Sequence, residues 1–400
     1  MEREPTARGK ASGKGQAHAA APELRSAAAD YLAGDDEAKA RGLLQILRPD
    51  GTLVDEASLP DGVDRTEALR LYRGMLTIRI MDERLLALQR QGRIGFYGEA
   101  RGQEAAVVGS SAATLPEDWI VPALREAGVG IFRGMPLRQY IAQIFGNAND
   151  PSRGRQMPCH PCDRERNYVV MSSCVSSQLP HAVGIAMAMK IAGDTGRCAV
   201  GYMGDGGTSE PDFHVALNFA GVYRSPVVLF CQNNQWAIST PGSSQTAAET
   251  IALKGLGYGV ESLRCDGNDI FAVLAATRYA CAKARRGDGP TFIEALTYRV
   301  SAHSSSDDPS RYRDESVTKT WREERDPLTR LRTFLAARGW LTAAEDAALA
   351  DMIEREVREA IAAEESAGPP ALATLVEDVF ETVPRHLGEQ MEELRGHQAG

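Results

Sequence analysis

The middle of the chain alternates short apolar runs with amphipathic helical patterns, and this alternation is what most constrains the fold. We predict buried strands at 198–203, 226–231, 260–265 and 291–300, separated by helices at 209–222 (with Ser209 as N-cap), 246–255 and 268–286. Strands that alternate with helices are typical of βαβ units, whose strands lie parallel in one sheet. The sequence therefore predicts an α/β fold with a doubly wound parallel sheet.

The segments on either side of this unit have different patterns. The start is rich in Gly, Ala, Lys and Ser without periodicity, which indicates disorder. A turn-rich stretch follows, and then a long amphipathic helix from Arg65 to about Gly92. Beyond Arg313 the pattern is helical, with a last helix near 372–382. We therefore divide the chain into a disordered tail (1–22), an N-terminal arm (23–64), an α/β domain (65–313) and a helical C-terminal region (314–400).

Composition excludes several classes of partner. The 45 basic and 54 acidic side chains give a net charge of −9, which does not attract nucleic acid or an anionic membrane. We see neither an apolar run of the ~20 residues that a spanning helix needs nor the apolar core of a secretory signal. We therefore expect a cytoplasmic protein with neither nucleic acid nor membrane as its partner.

The seven cysteines suit a reducing compartment. Five lie in apolar surroundings and are predicted to be buried thiols: Cys174, Cys198, Cys231, Cys265 and Cys281. The other two form Cys159-His160-Pro161-Cys162, which has the spacing of zinc and redox sites. The sequence offers no second pair to complete four zinc ligands, so we favour free thiols over a structural zinc or a catalytic dithiol.

Polar residues follow two neighbouring predicted strands. Gly204-Asp205-Gly206-Gly207 comes after the first and Asn233-Asn234 after the second. In an open parallel sheet, ligands bind beyond the carboxyl ends of the strands. The glycines let backbone approach a phosphate at the start of a helix, while a hard cation between phosphate and Asp205 removes their repulsion. The two segments together predict a diphosphate held with Mg²⁺.

Each segment alone is ordinary, because GDGG is also a common turn and an Asn pair is a common polar loop. Together they match the thiamine diphosphate motif, because the 26 residues from Gly207 through Gln232 separate Gly204-Asp205-Gly206 from the Asn pair, close to the thirty of that motif. The dinucleotide fingerprint G-x-G-x-x-G fails, since Ser209 stands at its third glycine. The P-loop pattern does not occur.

The segment GDGGTSEPDFHVALNFAGVYRSPVVLFCQNNQWAIST resembles the α subunit of the E1 component of branched-chain 2-oxo-acid dehydrogenases. The likeness extends from about Leu47 to Val383 and includes RQGRIGFYGEARGQEA, LREAG, GRQMP and IEALTYRVSAHSSSDDPSRYR. It implies the thiamine-diphosphate-binding fold and oxidative decarboxylation of branched-chain 2-oxo acids, with reductive acylation of lipoyl on a transacylase (E2). It also implies an E1 β subunit as partner in an α2β2 heterotetramer.

Two alternatives stay open at this point. A pyruvate or acetoin dehydrogenase E1 α subunit is the near one, although DFHVALNFAGVY and HSSSDDPSRYR resemble the branched-chain type more. A catalytically silent α-like scaffold protein is the remote one. It would require the loss of a metal ligand or of the active-site histidine, and neither is lost.

The resemblance also implies roles for single residues. Asp205, Asn234 and the backbone carbonyl of Trp236 would bind the metal, and His303 would be the catalytic histidine, which we expect to titrate near neutral pH. The cofactor-binding residues would be Leu124, Arg125, Ser173, Val175, Asp205, Gly206, Gly207, Asn234, Trp236 and His303. This chain departs from the family pattern at Leu124, where a tyrosine is common, at Gln232, where some members have arginine, and at Gln235, where glycine is frequent.

Three further features have weaker parallels in the family. His160 corresponds to a histidine near the active-site entrance. Ser172, Ser177 and Gln178 match positions that hold a monovalent cation such as K⁺, although such side chains are also ordinary around a helix cap. Ser304 matches a serine that is phosphorylated in mitochondrial relatives, but we predict no regulation there.

Overall fold

A five-stranded parallel sheet forms the centre of the computed structural model, which describes residues 26–377 and 379–398. The strand order is β1-β2-β3-β7-β6, and a separate antiparallel pair, β4-β5, follows β3 along the chain. The predicted tail at 1–22 lies outside the described residues. The strands are β1 (Trp119–Val121), β2 (Ala199–Gly204), β3 (Val227–Asn233), β4 (Trp236–Ala237), β5 (Thr240–Pro241), β6 (Glu261–Asp266) and β7 (Thr291–Leu296).

Helices surround the sheet and continue to the end of the described chain. They are α1 (Ala27–Leu32), α2 (Asp36–Arg41), α3 (Arg65–Arg90), α4 (Glu104–Ala112), α5 (Ala127–Phe132), α6 (Leu137–Phe145), α7 (Gln178–Ile191), α8 (Pro211–Tyr223), α9 (Leu253–Leu256), α10 (Ile270–Arg285), α11 (Glu315–Glu324), α12 (Pro327–Ala337), α13 (Ala343–Glu365) and α14 (Arg385–Gln398). None of the helices described is both long and apolar enough to cross a membrane.

Both faces of the sheet are covered, as the near-continuous apolar strands require. Val200 and Tyr202 on β2 point into a large core that also contains residues of α3, α4 and α10. Ala199 and Met203 point the other way, into a second core with α7 and α8. Two cores on opposite faces of a parallel sheet define the doubly wound arrangement and confirm the predicted fold class.

The register of the central strands determines where their loops meet. Gly204 on β2 pairs with Gln232 on β3, and Gln232 in turn pairs with Ala295 on β7. The three strands therefore end side by side. As a result, the GDGG segment, the Asn pair and the segment after β7 share one edge of the sheet.

The segments outside the sheet pack firmly against it. The arm adds backbone hydrogen bonds to the β6 edge, where the Leu44 amide donates to the Arg264 carbonyl at 2.9 Å. The amides of Ile46 and Leu47 both donate to the Asp269 carboxylate at 2.6 Å. In the C-terminal region, α13 packs on α3 and α6.

Several predicted boundaries differ from the structure. Helix α3 is confirmed: it begins after Asp64, whose side chain accepts from the Glu67 amide, and ends at Arg90. The helix predicted from Ser209 begins at Pro211, because 205–209 form a 3₁₀ turn. That turn directs the backbone of the GDGG segment toward the sheet edge before the helix starts.

Three other predictions were wrong in extent. The helix predicted at 246–255 is confined to α9, and the strand predicted at 291–300 ends at Leu296. A 3₁₀ turn replaces the last predicted helix, and α14 follows it. Strand β1 was not predicted because three residues are too few for a periodic pattern.

Candidate active site

A cavity of about 290 Å³ lies beyond the carboxyl ends of β2 and β3. Its position is where an open parallel sheet binds ligands. Of the predicted cofactor-binding residues, all except Ser173 line it: Leu124, Arg125, Val175, Asp205, Gly206, Gly207, Asn234, Trp236 and His303. Residues separated by up to 179 positions in sequence (124 to 303) thus meet in one place.

Asp205 contributes a buried carboxyl group to the cavity wall. It is 2% exposed, and its Oδ2 accepts a hydrogen bond from Gln245 Nε2 at 3.0 Å. Its Oδ1 is buried and has no partner among the residues that the structure describes. Burial raises the pKa of this carboxyl above its usual value. A buried carboxylate oxygen with free acceptor capacity fits a hard cation ligand.

Asn234 and Trp236 lie on the loop that follows β3. Asn234 Nδ2 donates to Gln103 Oε1 at 3.0 Å, which fixes the amide so that its Oδ1 remains an acceptor. That oxygen accepts from the Trp236 amide at 3.3 Å. The Trp236 carbonyl accepts from Arg299 Nη1 at 3.3 Å, and its second lone pair remains available.

Close packing requires two of the three glycines in the GDGG segment, Gly206 and Gly207. A Cβ at Gly206 would lie 2.6 Å from Ala237 Cβ, and one at Gly207 would lie 2.7 Å from Ser176 Oγ. A Cβ at Gly204 would meet nothing within 4 Å. The two inner glycines therefore bring bare backbone to the cavity wall, as a phosphate site needs.

Arg125 supplies positive charge from the other side. Its guanidinium is buried and donates to the carbonyls of Glu99 and His303, the latter at 2.8 Å. Both partners are neutral carbonyl oxygens, so these bonds hold the guanidinium in place without neutralising its charge. Arg125 thus places a fixed positive charge at the cavity, and its bond to the His303 carbonyl ties the His303 loop to the cavity wall.

His303 is held by its backbone. Its amide donates to Asp307 Oδ2 at 2.7 Å, the same oxygen accepts from Tyr312 Oη at 2.5 Å, and Arg299 Nη2 donates to that hydroxyl at 2.7 Å. Arg299 also donates to the Trp236 carbonyl, so one network joins the loop after β3 to the loop that contains His303. The sequence segment that contains these residues was noted, but nothing in it indicated their roles.

The pKa of His303 is lowered to about 4, mainly by burial and then by the nearby Arg125 and Arg299 guanidinium groups. The expected near-neutral titration was therefore wrong for this chain. The physical reason is first the burial of the imidazole and then the nearby Arg125 and Arg299 guanidinium groups, of which Arg125 is distant in sequence. At physiological pH the His303 ring is neutral.

The cavity lining also contains residues that were not predicted from the sequence as ligands, among them Gln103, Glu126, Glu210 and Ile238. Glu126 follows Arg125 directly, and its carboxylate accepts from the Arg125 amide at 3.1 Å. Burial raises the pKa of Glu126 to about 7. Its position in the LREAG segment, next to Arg125, was the only indication in the sequence that Glu126 could lie at the site. The burial of its carboxyl group could not be predicted from that segment.

Ser173 lies outside the cavity lining. Its hydroxyl contacts His160 Nε2 at 2.5 Å, and His160 Nδ1 lies 3.0 Å from the Pro158 carbonyl. Because a carbonyl only accepts, Nδ1 donates to it. His160 is therefore a buried histidine that fixes the Ser173 hydroxyl.

The three residues predicted to hold a monovalent cation lie at the start of α7. Ser177 Oγ donates to Ser172 Oγ at 3.1 Å, and Gln178 Nε2 donates to the Tyr202 carbonyl at 2.8 Å. Gln178 Oε1 is buried without a partner in the described part of the chain. The structure thus brings Ser172 and Ser177 into contact.

All seven cysteines are free thiols. Cys159 is buried and Cys162 partly buried, and the described residues contain no group of three or more His, Cys, Asp or Glu side chains placed to hold a metal. Burial raises the pKa of both thiols, which disfavours reactive thiolates. Cys174 is exposed, so its predicted burial was wrong: it lies in the loop before α7.

The fold is that of a doubly wound α/β protein with a cavity at the carboxyl ends of its parallel strands. The model of the dehydrogenase E1 component family matches residues 72–373. This chain belongs to that family.

Named relatives are more specific. The chain is 42% identical over 346 residues to 2-oxoisovalerate dehydrogenase subunit alpha 2, mitochondrial, of Arabidopsis thaliana, covering 86% of this chain and 73% of the relative. It is 40% identical over 364 residues to the alpha subunit of Caenorhabditis elegans, covering 91% and 84%. For the Homo sapiens alpha subunit the identity is 39% over 355 residues, covering 89% and 79%.

Proposed function

We propose that this chain is the α subunit of an E1 component that decarboxylates branched-chain 2-oxo acids and acylates the lipoyl group of a transacylase. The cofactors in this proposal are thiamine diphosphate and Mg²⁺. The observation that carries it is Asp205 Oδ1, a buried carboxylate oxygen without a partner in the described structure, beside the close-packed Gly206 and Gly207. The names of the relatives support the substrate class.

The residues present fit a diphosphate with a divalent cation. Asp205, Asn234 and the Trp236 carbonyl are all oxygen donors, as Mg²⁺ prefers. Arg125 contributes positive charge, and the glycine backbone allows close approach of the phosphates. Without the cation, the Asp205 carboxylate would repel the diphosphate, so metal and diphosphate should bind together.

Bound thiamine diphosphate supplies the electron sink for decarboxylation. The protein's task is to bind and orient the cofactor and the substrate and to exclude water. His303, neutral and held from behind by Asp307, presents an imidazole to the cavity that can donate or accept a hydrogen bond. Arg125 donates to the carbonyl of that residue, which ties the loop to the cavity wall.

An exposed apolar face supports a partner subunit. On α8, Val215, Phe219 and Val222 are exposed at helical spacing, and Val222 is 69% exposed. Ile191 at the end of the adjacent α7 is 84% exposed. Such a surface is typical of a protein interface, and we propose that the β subunit of an α2β2 heterotetramer covers it.

Three minor assignments belong to the same proposal. A monovalent cation would bind near Ser172, Ser177 and Gln178, supported by the buried Gln178 Oε1 that has no partner in the described chain. The lipoyl-bearing transacylase would be the acceptor. We also retain the cytoplasm as the expected location.

The experiment is to purify the chain with its β subunit and measure lipoyl-domain acylation with a panel of 2-oxo acids. We expect 3-methyl-2-oxobutanoate and its homologues to be preferred, with activity dependent on added thiamine diphosphate and Mg²⁺. Preference for pyruvate or acetoin would establish the nearest alternative. No acylation by the assembled complex would refute the proposal.

A further inference from the structure

Glu126 and Gln232 form a buried polar pair in the cavity wall. They are 1% and 2% exposed, and both line the cavity. Gln232 Nε2 donates to Glu126 Oε1, while Gln232 Oε1 is buried with no partner among the described residues. A buried amide whose N–H donates but whose oxygen has no donor costs free energy, so an arrangement in which the Gln232 oxygen also finds a donor would be more stable.

The surroundings of Glu126 disfavour its ionised form. The titratable groups that face it are the Arg125 guanidinium from the preceding residue, and the Tyr168 and Tyr202 hydroxyl groups from the neighbouring loop and β2. Tyr168 Oη donates to the Glu126 backbone carbonyl at 2.9 Å and not to its carboxylate. Arg125 directs its guanidinium to two carbonyl oxygens. The carboxylate thus lies in a dry site without a direct cation partner in the described structure.

We propose that diphosphate binding is coupled to the uptake of one proton by Glu126, and that the Gln232 amide then turns over. In the new arrangement Gln232 Oε1 accepts from the protonated carboxyl, and Nε2 is released to donate to a phosphate oxygen. This inference rests on the proposed function, because it requires that the cavity bind a diphosphate. The proton comes from solvent, and no covalent bond other than the new O–H bond changes.

The turned amide satisfies the Gln232 oxygen that the present arrangement leaves without a partner in the described structure. The buried Gln232 Oε1 gains a donor. The phosphate gains a neutral N–H donor from Gln232, where it would otherwise face the Glu126 carboxylate. An ionised Glu126 would repel the incoming diphosphate across a site of low dielectric, where such repulsion is strong. Since burial already raises the pKa of Glu126 to about 7, the proton is available at small cost near neutral pH.

The test uses calorimetry on the full-length chain with Mg²⁺ and inorganic pyrophosphate as the probe. Titrations at pH 6 and pH 8, each in two buffers with different ionisation enthalpies, report the protons taken up on binding. Because pyrophosphate itself titrates, the wild type is compared with Glu126→Gln, whose neutral amide mimics the protonated acid. Thermal unfolding of both proteins checks that the variant is folded.

We expect wild-type affinity to fall about tenfold more than that of Glu126→Gln between pH 6 and pH 8, as a carboxyl with a pKa near 7 requires. The sign follows from linkage: a pKa raised by binding favours the complex at low pH. At pH 8 the wild type should also bind as much as one proton more than the variant, and at pH 6 the two proteins should bind the same number. Equal proton uptake and equal pH dependence would overturn the inference.

Two other outcomes are informative. No pyrophosphate binding by the wild type at either pH would refute the proposed cofactor site, and this inference with it. Binding without a difference between the two proteins would refute this inference alone. If Glu126→Gln does not fold, Gln232→Arg replaces it: a fixed cation keeps Glu126 ionised, so proton uptake must disappear, and persistent uptake would contradict the coupling.

Discussion

The charge on Asp205 should lower the stability of the ligand-free protein while it enables metal binding. We therefore predict that Asp205→Asn makes the ligand-free chain more stable and abolishes its response to Mg²⁺ and pyrophosphate. The amide oxygen can still accept from Gln245 Nε2, now 3.0 Å from the carboxylate. What the variant removes is the buried negative charge, while its amide Nδ2 takes the place of the oxygen that has no partner in the described structure.

The magnitude follows from the loss of that charge. An unsatisfied buried polar group costs about 1–3 kcal/mol and a charged one costs more. Because the amide of the variant is also buried without a partner in the described part of the chain, we expect the variant to gain only the difference, on the order of 1 kcal/mol. For large domains each kcal/mol corresponds to roughly 2–4 °C in melting temperature. With magnesium pyrophosphate at about 100 times Kd the wild type should gain about 2.7 kcal/mol. The variant should gain nothing, so the order of stability reverses.

Thermal unfolding of both proteins, with and without magnesium pyrophosphate, measures this reversal. Asp212→Asn on α8, outside the cavity lining, is the matched control and should respond to ligand like the wild type. Lower stability of Asp205→Asn without ligand would show that the carboxylate is satisfied in some other way. Equal ligand stabilisation of Asp205→Asn and wild type would show that Asp205 is not a metal ligand.

Three further predictions test other parts of the site. Gly206→Ala should destabilise the chain by about 1–3 kcal/mol and weaken pyrophosphate binding, because its Cβ would lie 2.6 Å from Ala237 Cβ, whereas Gly204→Ala should leave stability unchanged in the same unfolding assay. His303→Ala, assembled with β, should keep near-normal cofactor affinity but acylate lipoyl domain about 10²–10⁴-fold more slowly, and NMR titration of the wild-type ring should show no transition near pH 6.5. Wild-type acylation by this variant, or titration near neutrality, would contradict its role. Val222→Glu should weaken assembly with β in sedimentation experiments without changing the melting temperature of the isolated chain, and unchanged assembly would exclude α8 from the interface.

Much of the fold could be predicted from local pattern. Strands β2 and β3 are near-continuous apolar runs, and α3 has a 3.6-residue repeat with an Asp64 cap, so the apolar pattern and the cap predict these elements. The short elements were not predicted correctly, because they have too few residues to show a periodic pattern. Strand β1 has three residues and α9 has four, and they are stabilised by their neighbours and not by their own sequence.

The sequence by itself determined the chemical types at the site, because the GDGG segment and the Asn pair follow strands whose ends must meet in a parallel sheet. It also carried the family resemblance, which implied Arg125 and His303. Only the tertiary structure decided the electrostatics. The low pKa of His303 and the raised pKa of Glu126 depend on burial and on charges brought from distant parts of the chain. Desolvation is a property of the assembled cavity, and no local sequence pattern encodes it.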